Sequence, residues 1–211
     1  MSNETDQSTV FIVDDEAPVA DSIALLLRSV GIRSTVHNGA TAFLEAYDPD
    51  SPGCLLLDVR MPRMSGLELQ KELNRRRCFL PIIFITGHGD VPMAVEAMRA
   101  GAVDFLQKPF NDDELIRRVQ RALDQDRETR ARLAQREALL QRYELLTPRE
   151  RDITWRLVDG QANKAAALEL DISERTVEQH RAQVMRKMDV RSLAQLVQMM
   201  LVVREALPAA E

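Results

Sequence analysis

The sequence predicts an α/β domain on a doubly wound, five-stranded parallel sheet of order 2-1-3-4-5, followed by a helical linker and an all-α four-helix domain. Three observations predict it. Five short apolar runs, near 10–13, 34–37, 54–58, 82–86 and 103–107, alternate with stretches of helical periodicity, the pattern of βα units. The central run, Leu55-Leu56-Leu57, reads as a strand covered on both faces. From Asp124 to Tyr143 the chain is rich in Arg, Glu, Gln, Ala and Leu and holds no Gly or Pro, a strong helix-forming mixture.

In order, the first strand ends at Asp14-Asp15. In the first helix Pro18 suits an early position, Val19, Ile23, Leu26, Leu27 and Val30 recur at helical spacing, and Gly31 can end it. The third strand ends on Asp58, and Met61-Pro62 and Ser65-Gly66 then turn the chain. The fourth ends at Thr86. The fifth leads to Lys108-Pro109, where a cis peptide is least disfavoured. The fifth helix starts near Asn111 and meets no stop signal before Leu146. Along it Val119, Leu133 and Leu140 fit one heptad position and Ile116 and Leu123 another, but Asp126, Arg130 and Glu137 break the seam. A solvated helical linker and a coiled-coil dimer seam are both open readings.

Beyond it, Thr147-Pro148-Arg149-Glu150 forms a capping box with Pro at the first helical position, and Gly160 can end that helix. Asn163 is read as the cap of a short helix to about Leu170, Ser173 of a third reaching about Met188, and Ser192 of a last one toward Leu207. Short helix, tight turn and long helix make a helix-turn-helix.

Charge separates the segments. Residues 1–123 carry 13 Lys/Arg against 18 Asp/Glu, whereas residues 124–146 and 147–211 are each balanced, so the net charge of −5 lies in the first segment. That argues against nucleic-acid binding there. Cys54 and Cys78 lack metal spacing and point to a reducing compartment. Met1 to Thr9 has no apolar signal core, and Leu196 to Val203 is too short to span a bilayer, so a cytoplasmic protein without membrane contact is expected.

The polar groups at the strand ends have complementary chemistry. Ligands of open parallel sheets bind outside the carboxyl ends of the strands. Asp14, Asp15 and Asp58 are hard oxygen donors suited to Mg²⁺, and a carboxylate can attack phosphorus to form an aspartyl phosphate. Lys108 supplies a point charge, and Thr86 a hydroxyl that can follow a new anionic oxygen. On the third helix of the last segment, placing Val177, Val184 and Met188 inward leaves Arg175, Gln179, Ala182 and Arg186 on the opposite arc, flanked by Glu178 and Gln183. Such a face can enter a major groove. Gln179 has the geometry to read adenine, Glu178 can accept from cytosine, and Arg175, Arg186, Lys187 and Arg191 are read as phosphate contacts.

Acidic pair, acceptor Asp58, Thr86 and Lys108-Pro109, each at the end of its own strand, resemble the receiver domain of two-component response regulators over residues 9–123. The run from Gly87-His88-Gly89-Asp90-Val91-Pro92 to Lys108-Pro109-Phe110 is most similar to the FixJ branch. Leu146-Thr147-Pro148-Arg149-Glu150, Asn163-Lys164, Ile172-Ser173, Thr176-Val177, His180-Arg181 and Val184-Met185 resemble the LuxR-type output domain. The boundaries expected are a disordered N-terminus at 1–8, receiver at 9–123, helical linker at 124–145 and DNA-binding domain at 146–211.

The resemblance implies that a sensor histidine kinase phosphorylates Asp58. Asp14, Asp15, Asp58 and the Arg60 backbone carbonyl would hold Mg²⁺. Thr86 and Phe105 form the switch, and Lys108 completes the catalytic set. Val91, Val95, Met98 and Arg99 would form a receiver dimer contact on phosphorylation, and Met199, Met200 and Val203 a contact on the last helix. Double-stranded DNA would be bound by Arg175, Thr176, Glu178, Gln179, Ala182, Gln183, Arg186 and Lys187, with RNA polymerase as a further partner. The unmodified receiver is expected to restrain the output domain. No enzyme activity is expected beyond phosphoacceptance and slow self-dephosphorylation. Two other readings stay open: a Mg²⁺-dependent aspartyl-phosphate phosphohydrolase, for which the second acid is missing because Val59 and Arg60 follow Asp58, and a phospho-regulated protein-docking module.

Departures from the family pattern sharpen the expectations. Thr154 and Ala166 replace larger aliphatics, which leaves the core under-filled unless Trp155 compensates. Asp171 stands at a turn position that is often Gly. Arg63 replaces an acidic or neutral residue and would alter kinase docking. His88 and Arg60 are candidates for tuning the lifetime of the phosphate, and His180 reads as a packed structural histidine.

Overall fold

The structure, a computed structural model, describes residues 8–87 and 91–207. It falls into two compact units that part between Arg130 and Ala131. His88 and most of the expected disordered N-terminus lie outside the described residues; Ser8, from the latter, is buried.

The first unit runs β1 (Thr9–Val13), α1 (Ala17–Ser29), β2 (Ser34–His37), α2 (Ala40–Ala46), β3 (Gly53–Asp58), α3 (Gly66–Arg75), β4 (Ile82–Thr86), α4 (Val91–Arg99), β5 (Asp104–Gln107) and the start of α5 (Asp112–Glu144). Among the described residues the strands form one parallel sheet of order β2-β1-β3-β4-β5. Alternate side chains along β1, β3, β4 and β5 feed two cores, as the two-residue period requires, whereas β2 at the sheet edge adds none. Phe11, Leu55, Leu57 and Phe84 pack with Phe43, Leu69, Leu73 and Ala97 from α2, α3 and α4. Ile12, Leu56 and Ile83 pack with Ile23 and Leu27 of α1 and Leu115 and Val119 of α5. β3 is buried at all six positions because helices cover both its faces. The Lys108-Pro109 bond is cis.

α3 begins with a capping box in which the Ser65 hydroxyl accepts from Glu68 N–H while the Glu68 carboxylate accepts from Ser65 N–H. From α3, Gln70 Nε2 and Asn74 Nδ2 donate to the Ala97 and Ala100 carbonyls near the end of α4.

α5 is not solvated along the whole of the predicted linker. Asp126 is only 1% exposed, although its carboxylate breaks the heptad pattern. Leu139 and Tyr143 are buried in the core of the second unit. The solvated part is the stretch 131–138, where only Leu133 is partly covered.

The second unit continues through α6 (Pro148–Val158), α7 (Asn163–Glu169), α8 (Glu174–Lys187) and α9 (Leu193–Ala206). Thr147 and Glu150 form the expected capping box, and Ser173 and Ser192 cap α8 and α9. The cap of α7 is Ala162; Asn163 is its first helical residue, and its Oδ1 accepts from Arg181 Nη1. One core gathers Ile153, Leu157, Ala166, Ala167 and Val177, the other Val184, Met188, Leu196, Met200 and Val203. Trp155 packs against the second of these, with Nε1 donating to the Tyr143 hydroxyl, so it does not fill space around Ala166. Thr154 is fully buried, and its hydroxyl donates to the Glu150 carbonyl. Among the described residues, four other than glycine take positive φ: Arg63 (68°), Arg77 (56°), Asp171 (52°) and Asp189 (54°).

Candidate functional site

Strand register assembles the site. Val13 pairs with Leu57, so Asp14 and Asp58, each one residue further on, reach the carboxyl edge side by side. Asp58 pairs with Ile85, and Thr86 with Gln107, which brings Thr86 and Lys108 to the same edge. Lys108 N–H donates to the Thr86 carbonyl at 2.8 Å. Its ammonium donates to Asp14 Oδ2 at 2.9 Å and to Asp58 Oδ1 at 3.2 Å. The remaining carboxylate oxygens are held by the backbone, Asp14 Oδ1 by Glu16 N–H (2.8 Å) and Asp58 Oδ2 by Arg60 N–H (2.7 Å). Sequence reading did not assign these two amides. Both belong to tight turns two residues after the acid, a local geometry that residue types alone do not reveal.

Burial and the neighbouring charges together set the charge state of the pocket. Burial pushes the Asp58 carboxyl up, against the Lys108 charge and the Arg60 N–H, and the neighbouring Asp14 adds to the rise. Burial lowers the Lys108 ammonium, but Asp14 and Asp58 outweigh that and leave its pKa raised. The site therefore holds a protonated lysine between two acids. Gly66 lies directly behind it: a Cβ there would meet the Asp58 carbonyl oxygen at 2.2 Å. Thr86 is buried, and Phe105 is half-buried with its ring 6.3 Å from that of Phe84.

Asp15 is exposed and takes no part in the Lys108 contacts. With Arg60 it lines a cavity of about 510 Å³ whose wall includes Met61, Leu67 and Met93. Among the described residues no three His, Cys, Asp or Glu side chains are gathered closely enough to hold a metal ion. The donor chemistry nevertheless fits a hard cation, since Asp14 and Asp58 each place an oxygen on one shared positive group.

α8 presents the second candidate site. Val177, Val184 and Met188 are buried, while Arg175, Glu178, Gln179, Ala182, Gln183 and Arg186 are exposed. Thr176 is half-buried and its hydroxyl bonds Ser173 Oγ. Lys187 is placed differently from the DNA face expected of it. Its ammonium donates to Glu150 Oε2 at 2.6 Å and to the Leu145 carbonyl at 3.1 Å, so its charge is turned inward. His180 is half-buried at the edge of the core arc.

On α4, Val91, Val95, Met98 and Arg99 are all exposed. On α9 the expected contact needs correction. Met200 and Val203 are fully buried with Leu196 because spacings of four and three residues return to one helix face. Met199 is half-buried, and the exposed apolar side chains are Leu201 and Val202.

An acid-lined pocket at the sheet edge and a solvent-facing polar helix define a two-part signalling regulator. Residues 10–120 match the response regulator receiver domain family, and residues 144–200 match the bacterial regulatory proteins of the luxR family. The chain is 48% identical to the transcriptional regulatory protein FixJ of Azorhizobium caulinodans over 91% of each chain. It is 44% identical to the response regulator protein TodT of Pseudomonas putida, over 90% of this chain and 84% of that one. Among solved structures, the response regulator StyR matches with a TM-score of 0.85 and 43% identity over 92% of this chain and 98% of that one. Full-length FixJ from B. japonicum matches with a TM-score of 0.58 and 42% identity over 95% and 99%.

The chain belongs to the response regulators that join a receiver domain to a LuxR-type DNA-binding domain. It is a phosphorylation-dependent transcriptional regulator of the FixJ and TodT kind rather than an enzyme in the ordinary sense, and the phosphohydrolase reading falls away. The receiver domain implies a histidine kinase as partner, and the output domain implies DNA. Among the described residues no helix is long and apolar enough to cross a membrane.

Proposed function

We propose that in the cytoplasm a sensor histidine kinase transfers a phosphoryl group from its histidine to Asp58 of this chain, and that the product drives dimerisation and sequence-specific DNA binding. The observation that carries this is the Lys108 ammonium held between Asp14 and Asp58 at the carboxyl edge of the sheet. In the transfer, an Asp58 carboxylate oxygen forms the new bond to phosphorus as the bond from phosphorus to the donor imidazole nitrogen breaks, and the imidazole leaves. Asp14, Asp58 and the Arg60 carbonyl would hold Mg²⁺, with the exposed Asp15 carboxylate turning in to join them, and the ion would supply positive charge to the incoming phosphoryl oxygens.

Lys108 keeps its proton, remains cationic and pairs with a phosphoryl oxygen. The Thr86 hydroxyl donates to another, and Phe105 follows the space this leaves. That local change of charge biases the face formed by α4 and β5, where Val91, Val95, Met98 and Arg99 meet a second copy. Paired output domains then bind a two-part site through Arg175, Gln179, Ala182, Gln183 and Arg186, with Glu178 at the edge. Lys187 stabilises the domain instead. RNA polymerase is a further partner at the promoter.

Asp58→Asn tests the reading. The wild-type chain, treated with a small phosphodonor and Mg²⁺, should gain one phosphoryl label at residue 58, sediment as a dimer and bind selected duplex DNA more tightly. The variant should do none of these, and a variant that still dimerised and gained affinity would overturn the proposal.

A further inference from the structure

Two residues that interrupt the apolar seam of α5 tie that helix to Gly53 and the loop before β3. Asp126 Oδ2 accepts from Gly53 N–H at 2.9 Å, and both Asp126 oxygens accept from Arg130 Nε at 3.0 and 2.9 Å. The guanidinium then reaches the loop before β3. Nη1 donates to the Asp50 carbonyl at 3.0 Å, and Nη2 to those of Ser51 at 2.7 Å and Pro49 at 3.4 Å. One fork thus joins a carboxylate to three backbone carbonyls, a geometry lysine cannot reproduce.

The placement gives this contact more than a packing role. Apolar packing of α5 on the sheet ends with Ala122 and Leu123. Asp126 and Arg130 extend the grip by two further turns using polar contacts, and the compact unit ends at Arg130 itself. The residue that meets Asp126 is Gly53, the first of β3; the last of β3 is Asp58. A single buried strand therefore runs from the acceptor carboxylate to the root of the linker. Tight approach fixes that end of β3, since a Cβ on Gly53 would lie 1.9 Å from the Thr9 carbonyl oxygen.

We propose that Asp126 and Arg130 form a latch that sets where the receiver's hold on the linker helix ends, and through which the state of Asp58 is passed to that helix. The inference rests on Asp58 being the phosphoacceptor. Without the latch the helix frays from Asp124 onward while the acceptor pocket, at the opposite edge of the sheet, is untouched.

The test uses the full chain and two variants, Arg130→Met and Asp126→Asn. The second keeps an acceptor for Gly53 N–H and serves if the first does not fold. Amide exchange across 124–134 should quicken by about tenfold or more in either variant. Phosphoryl labelling of Asp58 by a small phosphodonor should stay within about twofold of wild type, and the affinity gained on phosphorylation for a duplex selected by the wild-type chain should shrink by about fivefold or more. Unchanged exchange would overturn the latch, and quickened exchange with the full gain retained would overturn its part in signalling. Failure of the wild type to label at residue 58 would instead sink the acceptor assignment, because the exchange measurement needs no phosphate.

Discussion

The Lys187 ammonium sits 2.6 Å from Glu150 Oε2, an oxygen that also accepts from the Thr147 N–H at 2.7 Å. One carboxylate thus closes the capping box of α6 and pins it to the end of α8. Lys187→Met would leave a glutamate that is 5% exposed without its counter-charge. Removing one partner of a buried pair costs about 3–5 kcal/mol, and the lower end applies here because Lys187 keeps some solvent. Denaturant unfolding of the output domain should show that loss.

Glu150 also sets an acid limit. Burial alone would raise its pKa, but Lys187 and the Thr147 groups outweigh that and hold it below the usual glutamate value of 4.5. A depressed folded-state pKa means the stabilisation is complete above the unfolded value and is lost as pH falls through the folded one. Stability of the wild-type output domain should therefore decline below about pH 4.5, and Glu150→Gln should flatten that part of the curve.

Gly66→Ala should damage the acceptor pocket without touching its charges. The added methyl would press on the Asp58 carbonyl and the Phe84 ring, at 2.2 and 3.0 Å. Overpacking of this kind costs about 1–3 kcal/mol. Thermal unfolding should register that loss, together with slower labelling of Asp58.

α9 separates stability from association. Met200→Ala should destabilise the output domain by about 2–5 kcal/mol, since the side chain is fully buried. Leu201→Ser, at a position 49% exposed, should change stability by no more than about 0.5 kcal/mol. If α9 meets a second copy, Leu201→Ser should weaken dimerisation of the phosphorylated chain in sedimentation.

On α8, Gln179→Ala and Arg175→Ala should fail in different ways. Loss of a bidentate base contact costs about 1–3 kcal/mol at one base pair and leaves binding to other sequences alone. Loss of a phosphate contact should weaken all sequences alike and reduce the salt slope by about 1. Binding titrations at several salt concentrations on matched and single-mismatch duplexes distinguish the two.

The strand ends were legible because each coincides with a change from apolar residues to a polar group with chemistry of its own, as at Leu57-Asp58 or Ile85-Thr86. The helix starts were legible where Thr147, Ser173 and Ser192 cap them. Asp126 and Arg130 were not, because a charge in a heptad reads as a solvated face unless its partner is known. That partner, Gly53, is 73 residues away in sequence. The inward face of α9 was ambiguous for the opposite reason: Met199 to Val203 is apolar throughout, so the period carries no phase. Lys187 looked like a phosphate contact because nothing local marks Glu150 as buried.

Arg63, Arg77, Asp171 and Asp189 all close turns in the left-handed region, where a side chain carries a steric penalty of roughly 1 kcal/mol that glycine escapes. None of the four belongs to a hydrophobic core. The molecule thus retains unexploited thermal headroom at its corners, open to an engineer who wants a hardier regulator, with Arg77 the corner farthest in sequence from both sites.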